Sequence, residues 1–199
     1  MLLYGDKGTG KSSTVHAMVN LFRGQKLRLV EIAKENVLAL PELKTRLAAE
    51  PMKFVVFIDD FSLQESDDRV STLKAALQGS MEGHVGNVMI VATSNRRHIV
   101  EENFSSRMNS VHMGDSEEEL LSLSDRFGIT VLFAATNKQE YLAIVRAGAA
   151  DMGLKTPAEI LESLAERWAL VRGGRSPRRA RQFVDYAYAC AQKGREIDV

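Results

Sequence analysis

The first residues whose types and spacing could do chemistry form the run Gly5-Asp6-Lys7-Gly8-Thr9-Gly10-Lys11-Ser12. This run matches the phosphate-loop pattern GxxxxGK followed by Ser or Thr, and it lies between a predicted strand and a predicted helix, as the pattern requires. Glycines let backbone N–H groups curl around a β-phosphate, and the start of the helix adds the positive end of its dipole. We expect Lys11 to reach the β- and γ-phosphates, Ser12 to bind Mg²⁺, and the loop through Ser13 to hold a nucleotide.

Two adjacent carboxylates follow an apolar run in Phe54-Val55-Val56-Phe57-Ile58-Asp59-Asp60, which is the Walker B arrangement. A buried parallel strand ends where a phosphate loop begins, so we expect Asp59 to hold Mg²⁺ beside Ser12. Asp60 would then polarise the attacking water. A pair of solvated aspartates that opens a turn is the structural alternative.

With these motifs the chain resembles the AAA+ ATPase superfamily, whose later motifs follow in order. Thr93-Ser94-Asn95-Arg96 comes after an apolar strand and resembles sensor 1, in which Asn95 would orient the lytic water. Ser122-Leu123-Ser124-Asp125-Arg126-Phe127-Gly128 resembles the segment in which clamp loaders and the Holliday-junction motor carry an arginine finger. The resemblance implies that Arg126 reaches the γ-phosphate of a neighbouring subunit, with Arg107 as the rival residue.

An arginine-rich segment, Gly173-Gly174-Arg175-Ser176-Pro177-Arg178-Arg179-Ala180-Arg181, resembles sensor 2 at the start of a lid helix. Cations at the start of a helix oppose the helix dipole, so three arginines in its first turns favour an anion nearby. By the resemblance, Arg178 contacts the γ-phosphate. For Arg179 and Arg181 a solvated basic face is the alternative.

Two phrases, Ser94-Asn95-Arg96-Arg97-His98 and Arg172-Gly173-Gly174-Arg175-Ser176, resemble a bacterial AAA+ family known as a predicted ATPase with a domain of unknown function. The chain departs from the superfamily in having Asp60 where most members have glutamate, which implies slow hydrolysis. It also begins on the phosphate-loop strand, without the upstream segment that usually wraps the adenine. We therefore expect a fragment, or a lid that supplies more of the base pocket.

The elements that must position these residues alternate in type along the first two thirds of the chain. This order predicts an α/β fold, here a P-loop NTPase core with a five-stranded parallel sheet and a C-terminal helical lid. We place the core at residues 1–135 and the lid at 136–199. The predicted strands are Met1 to Tyr4, Leu27 to Ile32, Phe54 to Ile58, Val88 to Ala92 and Thr130 to Ala134.

Helices are predicted from apolar spacing and from residues that start or stop them. In the core, the first predicted helix would bury Val15, Met18, Val19 and Phe22. A second helix, which starts near Pro41, would bury Leu43 and Leu47. Two more helices would cover Val70 to Leu77 and Glu117 to Leu123. In the lid, we expect caps at Asn137 or Thr136, at Thr156 in a box with Glu159, and at Ser176. The inward residues of the last two helices would be Ile160, Leu161, Leu164, Trp168, Phe183, Val184, Ala187 and Tyr188.

Composition excludes several classes of protein. The 199 residues are 45% hydrophobic and 26% charged with zero formal net charge, which excludes a disordered chain and one basic all over. The basic residues are nevertheless concentrated after Arg167. The single cysteine, Cys190, excludes an intrachain disulfide, and no apolar run is long enough for a membrane span or a signal peptide. We therefore expect a cytoplasmic protein with no membrane partner.

Three other functions compete with an ATPase. The first is a GTPase, because the guanine-binding NKxD motif is nearly matched by Asn137-Lys138-Gln139-Glu140. Glu140 stands where that motif requires aspartate. A small-molecule kinase would share the phosphate loop and an arginine-bearing lid. The third alternative is a nucleotide-gated binding module that hydrolyses ATP slowly or not at all. It would associate with DNA through the basic C-terminal helix.

The favoured function is that of an AAA+ ATPase that binds ATP and Mg²⁺ and acts as a homo-oligomer. Its hydrolysis would remodel or load an unknown protein or nucleic-acid partner. The catalytic residues would be Lys11, Asp60, Asn95 and, from a neighbouring subunit, Arg126.

Overall fold

The computed structural model describes residues 1–61, 63–64, 76–77, 86–95, 100–101 and 126–199. The chain forms two compact units, the first made of Met1–Gly5 and Lys11–Leu132 and the second of Asp6–Gly10 and Phe133–Val199. Each unit has an apolar core of its own. The loop after the first strand therefore groups with the C-terminal helices, although the elements on either side of it belong to the first unit.

The first unit is built on a five-stranded sheet. Its strands are β1 Leu2–Gly5, β2 Leu27–Glu31, β3 Lys53–Ile58, β5 Val88–Ser94 and β7 Thr130–Phe133, and they lie in the order β2-β3-β5-β1-β7. Strand β3 pairs in parallel with β2 and β5, and β5 pairs in parallel with β1. The predicted α/β fold with five strands is confirmed. Two further short strands, β4 Leu63–Gln64 and β6 Val100–Glu101, form a separate parallel pair.

Strand β3 lies inside the sheet, and its residues from Phe54 to Ile58 are all buried. A strand covered on both faces has a continuous apolar run, as this one does. In the sheet register Ile58 lies opposite Ala92 of β5, and Ser94 lies opposite Tyr4 of β1. The carboxyl ends of these three neighbouring strands therefore come to the same edge of the sheet.

Two helices of the first unit have the predicted positions. Helix α1 spans Lys11–Leu21 and buries Val15 and Val19, and helix α2 spans Leu40–Ala48 after a 3-10 helix at Lys34–Ala39. The prediction for Phe22 is wrong, because α1 ends before it and the ring is 39% exposed. Leu43 and Leu47 are half-buried against the core.

The other two helices predicted in the core are mostly beyond the described residues. Of the helix over Val70 to Leu77, only Ala76 and Leu77 are described, and both are helical. The short helix expected from Glu117 to Leu123 lies outside the described residues.

The second unit contains helices α3 Lys138–Asp151, α4 Ala158–Val171 and α5 Pro177–Gln192. Asn137 caps α3 in a capping box with Glu140, which is one of the two predicted arrangements, and the predicted cap at Ser176 also forms. The predicted box at Thr156 is wrong, because α4 begins after Pro157 with no side-chain cap. No helix in the described part of the chain is long and apolar enough to cross a membrane.

The prediction that two residues of the second unit face its core is wrong. Ile160 is 52% exposed and Tyr188 is 36% exposed, whereas the adjacent Leu161 and Ala187 are buried. Successive helical residues are turned by about 100°, so the neighbour of a core residue can point towards solvent. The other predicted residues of these helices lie in or against the core: Leu164, Trp168, Phe183 and Val184.

Candidate functional site

The phosphate loop has the strand-loop-helix context that its sequence predicts, since it joins β1 to α1. Three of its residues have positive φ, namely Gly5 at 133°, Gly8 at 81° and Gly10 at 106°. Residues with a Cβ rarely adopt such conformations, so the glycines permit the tight course of the loop. Thr9 Oγ1 donates to the Asp6 carbonyl at 2.7 Å, while the side chains of Asp6, Lys7 and Ser13 are exposed.

Lys11 is the charged residue at the base of this loop, and only 7% of it is exposed. Its Nζ donates to the Gly5 carbonyl at 2.8 Å and to Asn95 Oδ1 at 3.1 Å. A buried ammonium is tolerated only when hydrogen bonds replace its water. These contacts therefore fix the charge of Lys11 beside the loop.

Asp59 follows β3 and accepts two short hydrogen bonds on the same carboxylate oxygen. Ser12 Oγ and Thr93 Oγ1 each lie 2.6 Å from Asp59 Oδ1. Burial by itself would raise the pKa of Asp59, but the bonds from Ser12 and Thr93 outweigh it and hold the pKa below its ordinary value. The carboxylate is thus kept ionised beside the hydroxyl of Ser12, and these are oxygen groups of the kind that Mg²⁺ prefers.

Asp60 has a strained backbone, with φ of 48°. A non-glycine residue in this region is uncommon, and aspartate tolerates it better than most. Its N–H donates to Thr93 Oγ1 at 2.9 Å, and its Oδ1 accepts from Asn95 Nδ2 at 2.5 Å. This conformation favours the shorter carboxylate side chain at position 60.

The side chain of Asn95 connects two predicted catalytic residues. Its oxygen accepts from Lys11 and its nitrogen donates to Asp60. Because Lys11 and Asp60 bind opposite ends of the Asn95 side-chain amide, the position of each depends on that of the other. The structure thus brings together five of the predicted site residues: Lys11, Ser12, Asp59, Asp60 and Asn95.

Thr93 is a residue of this site that the motif analysis passed over in favour of Asn95. It is 1% exposed, near the end of β5, and its hydroxyl joins the Asp59 carboxylate to the Asp60 backbone. A hydroxyl at the end of an otherwise apolar buried strand was the signal available, because a buried polar group must find a partner.

An open cleft of about 300 Å³ borders the two aspartates on the side of β2. Four of its lining residues carry carboxylates and one carries an ammonium group, so the lining has a net negative charge. Sequence reasoning also missed this feature. The lining residues are Glu31, Ile32, Ala33, Lys34, Glu35, Asp59 and Asp60.

A magnesium site made by protein ligands alone is absent from the described residues, where no group of three or more His, Cys, Asp or Glu side chains could hold a metal ion. Mg²⁺ is commonly bound by one or two carboxylates together with phosphate oxygens and water. The pair of Ser12 and Asp59 fits that mode of binding.

Three of the lid arginines have structural roles inside the second unit. Arg175 forms a two-point ion pair with Glu166, with N···O distances of 2.9 and 2.6 Å. The Arg172 guanidinium lies 3.9 Å above the Trp168 ring, and Arg179 donates to the Gly174 carbonyl at 3.0 Å. These contacts account for much of the arginine cluster without a nucleic-acid partner.

Arg178 differs from these three arginines. Its side chain is exposed and makes no hydrogen bond or ion pair with any residue that the structure describes. Its backbone N–H donates to the Gly8 carbonyl of the phosphate loop at 3.2 Å. The predicted sensor 2 arginine therefore contacts the phosphate loop through its backbone, while its side chain is exposed.

Of the two predicted finger residues, only Arg126 is described. It lies in a turn shortly before β7 and is half-buried. Residues Ile129 and Leu132, which follow it at the edge of the sheet, are 55% and 59% exposed. Arg107 lies outside the described residues.

Comparison with known proteins agrees with this fold. A family model described as "Protein of unknown function (DUF815)" matches residues 1–191. Comparison with curated proteins gave no match.

Solved structures with a similar fold include two DNA-associated proteins. The Thermotoga maritima RuvB Holliday junction branch migration motor superposes with a TM-score of 0.64 at 16% identity, covering 98% of this chain and 56% of that one. The Aeropyrum pernix Orc1 protein, solved in complex with DNA, gives 0.62 at 15% identity, covering 98% and 55%. The chain thus spans just over half the length of these neighbours, and the likeness establishes a shared fold.

Proposed function

The chain belongs to the DUF815 family, and from this premise we propose that it is an AAA+ protein that binds ATP with Mg²⁺ and hydrolyses it. Hydrolysis is coupled to the remodelling or loading of a macromolecular partner in the cytoplasm. The side chains around the phosphate loop have the chemistry that this reaction requires.

The observation that carries the proposal is the 2.6 Å hydrogen bond between Ser12 Oγ and Asp59 Oδ1. These residues are 47 positions apart, on the first turn of α1 and just after β3. A magnesium nucleotide needs a hydroxyl and a carboxylate of this kind at one point. Ser12 and Asp59 would hold the Mg²⁺ ion, which would offset the negative charge of the nucleotide's phosphates.

The remaining groups of the network match the needs of water attack on a phosphate. Lys11 places a positive charge at the loop, where it binds phosphate oxygens. Asp60 accepts a proton from water supplied through the acidic cleft, and Asn95 keeps the Asp60 carboxylate oriented. Phosphoryl transfer depends mainly on positioning and charge stabilisation, and a restrained network supplies both.

Two arginines complete the proposed site. Arg178 contacts the γ-phosphate from the same chain, which agrees with its exposed side chain. Arg126 is supplied by a neighbouring copy. The exposed apolar residues of the edge strand that follows Arg126 support a subunit contact there, since exposed apolar edges otherwise favour aggregation.

The test combines turnover with size measurement. Phosphate release per subunit in Mg·ATP should rise with protein concentration, in step with an ATP-dependent increase in mass. In the assembled form, Arg126→Ala should lower turnover about 10³-fold or more, as expected for a finger arginine. Arg46→Ala, which removes an exposed arginine of α2 that pairs with Glu42, is the matched control. Unchanged turnover of Arg126→Ala in an assembled, ATP-loaded preparation would contradict the shared site.

A further inference from the structure

The start of helix α5 depends on a hydrogen bond from outside the helix. The first N–H groups of a helix have no partner within it. Here Pro177 has no N–H, Arg179 N donates to Ser176 Oγ at 3.3 Å, and Ala180 N donates to the Ser176 carbonyl at 2.9 Å. Arg178 N–H is the remaining donor, and its partner is the Gly8 carbonyl at 3.2 Å. The phosphate loop therefore completes the cap of α5.

Glycine is needed at position 8 for a reason that the phosphate-loop pattern does not contain. The pattern fixes Gly5 and Gly10 but allows any residue at position 8. A Cβ on Gly8 would lie 3.2 Å from both Arg178 Cβ and Ser176 Oγ, at a φ of 81°. A Cβ on Gly10 would also have a strained φ, of 106°, but would meet nothing within 4 Å. The two glycines thus offer a matched pair.

We propose that Gly8 is a positioning residue that couples occupancy of the phosphate loop to the placement of Arg178, through the hydrogen bond from Arg178 N–H to the Gly8 carbonyl. The inference rests on the proposed function, and it assigns a regulatory contact to the same site. Arg178 touches the nucleotide, while Gly8 acts through Arg178.

The peptide bond between Gly8 and Thr9 provides the physical link. In a trans peptide the carbonyl of Gly8 and the N–H of Thr9 point in opposite directions from one rigid plane. A phosphate that accepts a hydrogen bond from the Thr9 N–H would therefore fix the orientation of this peptide plane. In that orientation the Gly8 carbonyl points towards the Arg178 N–H. Hydrogen bonds in such a chain also polarise one another, so each strengthens the next.

Amide hydrogen exchange in the full chain without nucleotide tests the contact. Gly8→Ala should speed exchange of the Arg178 and Arg179 amides about tenfold, the size expected for loss of one hydrogen bond. Gly10→Ala strains the same loop and should leave those amides unchanged. In the wild type, Mg·ADP should slow the Arg178 amide relative to the amides of α4. Equal effects of the two variants, or no response of the wild-type amide to bound Mg·ADP, would overturn the coupling.

Nucleotide preference supplies a readout that a merely structural role would not change. Gly8→Ala should lower the preference for ATP over ADP in the presence of Arg178, and should change it no further in an Arg178→Ala background. Additive effects of the two substitutions would overturn the proposal. Failure of the wild-type chain to bind either nucleotide would overturn the proposed function, and the coupling with it. Normal binding with equal exchange in both glycine variants would overturn the coupling alone.

Discussion

Thr93 Oγ1 lies 2.6 Å from Asp59 Oδ1 and is inaccessible to solvent, since only 1% of Thr93 is exposed. The hydroxyl also accepts from the Asp60 backbone N–H, so one side chain holds the carboxylate of Asp59 and the backbone of Asp60. In a metal site, groups that orient the ligands are commonly as important as the ligands. Thr93 is therefore expected to act on catalysis through Asp59 and Asp60.

Replacement of this hydroxyl by a methyl group gives the first prediction. Thr93→Val should lower Mg²⁺-dependent phosphate release about 10- to 100-fold, because Asp59 loses an orienting donor and Asp60 loses an acceptor. Thr93→Ser keeps the hydroxyl and should retain most of the turnover. Titration of Mg²⁺ at saturating ATP measures the effect, and equal activity of the two variants would exclude the orienting role.

The role of Asp60 gives the second prediction. Asp60→Asn should lower turnover about 10²- to 10⁴-fold, the usual contribution of a general base, while ATP affinity is unchanged. Glu35→Gln removes another carboxylate from the same cleft and should leave turnover at the wild-type level. Single-turnover phosphate release and equilibrium ATP binding separate the two effects. An equal loss of turnover in Glu35→Gln would contradict the assignment of Asp60 as the general base.

Local sequence patterns predicted the elements of the fold and the main motifs of the site. The glycine run and the apolar strand before Asp59 and Asp60 are patterns that backbone geometry requires. Thr93 escaped notice because its role depends on the register of β3 with β5, which joins residues far apart in sequence. The phosphate-loop pattern likewise leaves position 8 open, and only the approach of α5 explains the glycine there.

Helix caps and lid arginines show a second limit of sequence reasoning. Both Asn137 and Thr156 fit a capping box by residue type, but only at Asn137 do the reciprocal hydrogen bonds with Glu140 form, because α4 begins after Pro157 with no side-chain cap. The lid arginines resemble a single anion-binding cluster in the sequence. Their tertiary partners, such as Glu166 for Arg175, separate structural arginines from Arg178.

The two capping sites give the third prediction. Asn137→Ala should lower the free energy of unfolding of the second unit by about 1 kcal/mol, because the Glu140 N–H loses its acceptor. Thr156→Ala should change it by less than about 0.5 kcal/mol, as for a surface position without a special contact. Trp168, the single tryptophan of the chain, lies in this unit and reports its unfolding in urea. The opposite ranking of the variants would contradict the observed caps.

The pH dependence of the second unit gives the fourth prediction. The hydrogen bond from Arg175, with the charge of Lys138, holds the pKa of Glu166 below its ordinary value despite partial burial. A lowered pKa stabilises the fold above the ordinary value of about 4.3, and this stabilisation is lost as the pH falls through the folded-state pKa. Urea midpoints from Trp168 fluorescence should therefore fall more steeply below pH 5 in the wild type than in Glu166→Gln. Parallel curves would show that Glu166 does not contribute.

The central claim is that the phosphate loop holds a magnesium nucleotide through Lys11, and calorimetric titration of the purified chain with Mg·ATP tests it most directly. The account predicts saturable binding at one site per chain, lost in Lys11→Ala and weakened when Mg²⁺ is removed by a chelator. Absence of binding to the folded wild-type chain, or equal binding by Lys11→Ala, would contradict it.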